Sequence, residues 1–141
     1  MSRRQNERGS AAIEAAVGVP AFALFVGLIM FGGRTATTHE ALESAAAEAA
    51  RSASIARDPA SAATDARHAA VTSISNQQVH CTDINVDVDT TDFNKAPGQA
   101  GTVRVRLSCR LEISDLAVPG VPGSRVLSAT MSSPIDTWRE R

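Results

Sequence analysis

One carboxylate, Glu14, stands inside an apolar run that otherwise holds no formal charge from Ser10 to Gly33. Near the centre of a bilayer an acid is disfavoured by roughly 2.5–3.5 kcal/mol, and by less toward an end, so such residues are normally partnered or functional. The spacing suggests a partner. If the chain is cut after Gly9, Ser10 becomes an N-terminus bearing an α-ammonium, and Glu14 is the fifth residue of the shortened chain. At i, i+4 on a helix the two groups share a face. The carboxylate then neutralises the ammonium of its own chain, or of a neighbour packed alongside, and removes a net charge from the apolar layer. A plainer reading leaves Glu14 shallow enough to reach headgroups and without a role.

Other chemistry-bearing residues form no recognisable set. His39, His68 and His80 fall on different segments, and there is no P-loop, no nucleophile elbow and no paired-carboxylate motif. DVDTTDF, residues 87–93, has the acid density of a calcium loop. Asp92, however, occupies the position where the loop demands Gly, and Gly98 the position of the bidentate Glu. A solvated strand face fits this stretch better. No catalytic activity, cofactor, metal or small-molecule substrate is therefore expected. A net charge of -1 gives no electrostatic reason to expect nucleic acid either.

The element that must position Glu14 is the run itself. Roughly 24 residues at about 1.5 Å each give on the order of 36 Å of helix, enough to cross a hydrocarbon core of about 30 Å. Arg3, Arg4 and Arg8 outweigh Glu7 before the run, whereas Arg34 is followed by Glu40, Glu43 and Glu48 after it. The positive-inside rule keeps residues 1–9 in the cytoplasm and sends the rest across. A cleaved signal peptide has a similar start, but its apolar region ends after about 7–15 residues. Arg3-Arg4 does not read as a twin-arginine export signal, because Asn6 sits where an apolar residue belongs. Within the run, Pro20 removes the backbone bond toward Ala16 and crowds that carbonyl, so a bend is expected there. Gly18, Gly27, Gly32 and Gly33 would let a second helix approach closely, or are ordinary membrane-helix composition.

Arg8, Gly9, Ser10 and Glu14 together make the type IV prepilin pattern: a basic leader ending in Gly, cleavage before the apolar stretch, and Glu at the fifth mature position. The finer resemblance is to the TadE-like family of minor pilins or pseudopilins of the tight-adherence (Flp) systems. RGSAAIEAAVGVPAFALFVGLIMFGGR, residues 8–34, looks like that family's opening, including Pro20 and the closing Gly32, Gly33 and Arg34. Beyond it the likeness is looser, carried by an extended two-cysteine segment and by VLSATMSSPID. Tight-adherence prepilins commonly place an aromatic after the Glu, and here Ala15 stands in that place. The resemblance implies processing between Gly9 and Ser10 by a prepilin peptidase. It also implies pilus or secretion-system subunits as partners through the N-terminal helix.

Past the membrane, EALESAAAEAARSASIAR continues in strong helix formers, so a helix over about 34–57 is expected. Leu42, Ala46, Ala49, Ala53 and Ala56 form a small-residue stripe on it, suited to a sheet of its own or to a bundle of subunits. Asp58-Pro59 reads as an N-cap and first turn. The second helix follows over about 59–75, with Ala62, Ala63, Ala66, Ala70 and Ile74 as its apolar side. Alternation then predicts strands at about 79–89, 102–113 and 126–132, the first two joined as a hairpin. The fold class is α+β: residues 1–9 a leader, 10–33 a transmembrane helix, and 34–141 an extracytoplasmic domain with an antiparallel sheet of about three strands.

Cys81 and Cys109 both fall on the side placed outside, where a disulfide is favoured. Zinc is not, since only His80 lies nearby. The register sets a condition. Cys109 is in phase with Val103, Val105, Leu107, Leu111 and Ile113, but Cys81 is out of phase with Ile84, Val86 and Val88. Either a β-bulge near Thr82 or Asp83 shifts the phase, or Cys81 lies outside the ladder.

These features predict a structural assembly protein of the cytoplasmic membrane, with its N-terminus inside and its domain outside or carried into an extracellular pilus. The competing expectation is an unprocessed single-pass anchor that displays an extracellular binding domain.

Overall fold

The computed structural model describes residues 3–96, 98–112 and 123–136, residues 3–10 by backbone alone. Helix α1, Arg3–Ser54, is 52 residues long and runs from the apolar stretch into the alanine-rich stretch without a break. At about 1.5 Å per residue it reaches about 78 Å. Where it passes from one stretch to the other, the hydroxyls of Thr35 and Thr38 donate back to the carbonyls of Phe31 and Arg34 at 2.9 and 2.8 Å. Hydroxyls that would otherwise weaken a helix are thereby satisfied within it.

The helix ends three residues earlier than its composition suggests, because the next one claims the chain. Asp58 has extended backbone, and its Oδ1 accepts from the amides of Ala60 and Ser61 at 3.0 and 2.9 Å. With Pro59 in the first turn this is the expected N-cap, and α2 runs Pro59–Asn76. It returns alongside α1, so that the Gln77 side chain at its end donates to the carbonyl of Ala41 at 3.4 Å.

Strands β1, Cys81–Asp89, β2, Gly101–Glu112, and β3, Ser124–Ile135, form an antiparallel sheet in the order β1-β2-β3. The fold is therefore α+β, two helices on one face of a three-stranded sheet, as the alternation and the helical stripes required. On β2 the side chains of Val103, Val105, Leu107 and Cys109 have no exposed surface, while Arg104, Arg106 and Arg110 face outward. On α1 the buried set is Leu42, Ala45, Ala46, Ala49, Ala50 and Ala53, and on α2 Ala62, Ala66, Ala70 and Ile74. This set is wider than one stripe because α1 touches both α2 and the sheet. Of the two packings open to the alanine stripe, the described one is with its own sheet, and Ala63 is only half-buried.

The elements of the sheet depart from expectation in places, and β3 already begins at Ser124. β1 starts at Cys81 and not at 79, since Val79 still donates to the Ile74 carbonyl in closing α2. β3 extends to Ile135 through Pro134, which an edge strand tolerates. The β1–β2 connection contains a 3-10 turn, Thr91–Asn94, that periodicity did not show. Its Phe93 is buried, and its Asp92 accepts from the Thr102 amide at 2.9 Å. Ile113, expected at the end of β2, lies outside the described residues.

Candidate functional site: the uncovered end of the long helix

Below the domain, no other described residue packs around α1. Ile13, Val17 and Phe22 each expose 68% and Val19 66%, whereas Leu42, on the same helix, exposes none. The exposed large side chains continue through Leu24, Phe25, Leu28, Ile29 and Met30 and leave no polar face. A helix that is apolar all round requires lipid or another protein about it. Its length and composition suffice to cross a membrane.

Glu14 is exposed on this segment, one turn beyond Ser10. The Gly9–Ser10 bond itself lies within α1. Pro20 is contained in the helix, which continues on both sides of it. A Cβ built on Gly18, Gly32 or Gly33 would meet nothing within 4 Å. Nothing in the chain's own packing requires glycine at these places, so any use of their small size lies with a neighbouring helix.

The cysteines are joined. Cys81 and Cys109 form a disulfide with a Cα–Cα distance of 5.4 Å. The register shifts between Cys81 and Asp83, so that Cys81 lies opposite Leu111 while Asp83 lies opposite Arg110. The extra residue, Thr82, is the bulge that the phase conflict demanded. Cys81 thus shares the inner face with Cys109.

Where α1 leaves the domain, a cleft of about 940 Å³ is lined by Arg34, Thr38, Gln77, His80, Cys81 and Glu112, among others. Sequence reading missed it, because its walls come from segments far apart in the chain. The three histidines stay separate: His39 pairs with Glu43 at 3.3 Å, His80 lines the cleft, and His68 is exposed on α2. Among the described residues no group of acids, histidines and cysteines could hold a metal ion.

The acids of residues 87–93 have local work. Asp89 accepts from the hydroxyl and the amide of Thr91 at 2.6 and 3.0 Å, and those bonds hold its carboxyl below the usual range. Asp92 is held low chiefly by its bond to Lys95, 2.9 Å away, and then by the Thr102 amide. On the outer face β1 presents Asp83, Asp87 and Asp89 opposite Arg110, Arg106 and Arg104 of β2.

The family model for TadE-like proteins matches residues 9–51. The match begins at Gly9, takes in Glu14 and Pro20, and ends in the alanine-rich half of α1, so the resemblance expected from residues 8–34 is borne out there. No curated protein and no solved structure matches the chain.

Proposed function

We propose that this chain, whose N-terminal third carries the TadE-like match, is a membrane-inserted minor pilin-like subunit that joins or primes a tight-adherence pilus or secretion filament. The carrying observation is the uncovered apolar half of α1 with Glu14 on it. Such a helix first lies in the cytoplasmic membrane, N-terminus inside. Once Gly9–Ser10 is cut by a prepilin peptidase, it packs among the helices of other subunits. Glu14 balances the new ammonium, and the glycines allow close approach. Because the bond to be cut lies in a helix, the peptidase must unwind that turn. Gly9 assists, being less favourable than Ala in a helix by about 1 kcal/mol. In this role the protein assembles, and it catalyses nothing.

Intact-mass measurement and N-terminal sequencing of the membrane fraction test the proposal. A mature chain beginning at Ser10 is expected. A chain that retains residues 1–9 would mean an unprocessed anchor displaying its outer domain.

A further inference from the structure

Among the described residues the sheet ends in two edges, β1 and β3, and they run in the same direction, since both are antiparallel to β2. Helix α1 shares that direction. Gln77, just before β1, reaches Ala41 toward the span, whereas Ser133, near the end of β3, donates to Ser54 at the far end of α1. The edges differ in charge. The outward side chains of β1 are Asp83, Asn85, Asp87 and Asp89, and those of β3 from Val126 to Pro134 carry no charge. β3, whose charge is confined to Arg125 at its start, is the less guarded of the two edges, and an exposed edge is a template for another strand.

We propose that β3 of one copy pairs in parallel with β1 of a second copy, continuing the sheet from subunit to subunit. The proposal rests on the assembly role above, in which the helices of neighbouring copies point the same way. That condition removes the two symmetric alternatives. An antiparallel two-fold pairing of β3 with β3, or of β1 with β1, reverses one copy and sends its apolar helix to the opposite end. Joining β1 to β1 also sets aspartates against aspartates, which is unfavourable across strands. Joining β3 to β1 keeps the helices parallel and the acids apart.

The rows of the sheet fit this pairing. Asn85, Ser108 and Ser128 lie in one row, Asp87, Arg106 and Thr130 in the next, and Asp89, Arg104 and Ser132 in a third. A second copy at the same height puts its Asn85 beside Ser128, its Asp87 beside Thr130 and its Asp89 beside Ser132. Hydroxyl donors then meet carboxylate acceptors along the seam. The contact is head-to-tail, the kind that propagates along a filament or closes into a ring.

The test uses full-length chains with two different tags, co-expressed in membranes, one carrying Ser128→Cys and the other Asn85→Cys. A short bis-maleimide links free thiols and leaves the Cys81–Cys109 disulfide untouched. The expected product joins the two tags. A Ser128→Cys chain linked to its like would overturn the proposal in favour of the two-fold pairing, and the absence of any link between these positions would overturn it outright. Val17→Cys on the exposed helix, tested in parallel, reads the assembly role separately: a link there with none at the edge leaves that role standing, whereas no link there counts against it. Ser128→Asp with Ser132→Asp, which sets an acid beside Asp89, should lower linking across the seam, read from a second position pair Thr130→Cys and Asp87→Cys, by about twofold to fivefold. The matching lysine pair should leave it unchanged or raise it. An equal loss with lysine would show that charge at the seam does not matter, and would also overturn the proposal.

Discussion

Cys81 and Cys109 are bonded along a diagonal of the β1–β2 pair, Cys81 standing opposite Leu111 and Cys109 opposite Ile84. The bond closes a loop over a sequence separation of 28, which holds the whole hairpin and its 3-10 turn. In the chain-entropy description such a closure is worth about 3.5 kcal/mol. That is a large share for a domain whose helices contribute mostly alanine to the core. Cys81→Ala with Cys109→Ala should lower unfolding stability by about that amount, read from denaturant midpoints, and adding reductant should have no further effect on the double variant.

Acid should weaken the domain through three carboxylates, those of exposed Asp58 and Asp89 and of half-buried Asp92. Asp58 is held low first by the Ser61 hydroxyl and then by the Ser61 amide, Asp89 by Thr91, and Asp92 by Lys95 and Thr102. A carboxyl with a depressed folded-state value binds its proton more readily when unfolded, so its contribution is present above about pH 4 and is lost as the pH falls through the folded value. Thermal midpoints should therefore drop below about pH 4. In the triple variant Asp58→Asn, Asp89→Asn, Asp92→Asn that acid drop should be shallower, while the midpoint at neutral pH is lower.

Periodicity made most of these elements legible. Alternation in TVRVRLSCRLE exposes the inner face of β2 directly, and Asp58-Pro59 marks the break between helices because both residues act locally. The disulfide was legible together with its bulge, since only a phase shift brings Cys81 to the face of Cys109. The 3-10 turn escaped because its determinants are a single Phe93, which finds the core only once the hairpin has folded, and two aspartates whose partners follow at different distances. Ala45 and Ala50 were missed for a related reason. A helix wedged between a second helix and a sheet buries two stripes, and the spacing of one stripe does not reveal the other. For the N-terminal helix the residues were legible, and the structure adds that the described part of the domain leaves this half of α1 without cover.

Close approach of α1 to the sheet depends on small side chains. Ala49 has no exposed surface and lies in the same buried cluster as Val103, Val105 and Leu107. Ala49→Leu adds three carbons where no room is left and should destabilise the domain by about 1–3 kcal/mol. Ala47, exposed on the same helix, provides the contrast: Ala47→Leu should change stability by less than about 0.5 kcal/mol. Equal effects at both positions in urea melts would mean that α1 does not pack as described.

Glu14 and the Gly9–Ser10 bond should act as one unit. Glu14→Ala removes an acid from the span, so membrane insertion should be retained or improved. Co-purification with pilus components should nevertheless fall, because the ammonium at Ser10 would then enter the helix layer unbalanced. The same change in a chain whose cleavage is blocked by Gly9→Val creates no ammonium, and there Glu14→Ala should have no additional effect. The four proteins form a double-mutant cycle, with intact mass at each corner to report processing. A strong coupling between positions 9 and 14 is the expected result. Equal losses from Glu14→Ala in cut and uncut chains would assign the carboxylate some other partner than the new N-terminus.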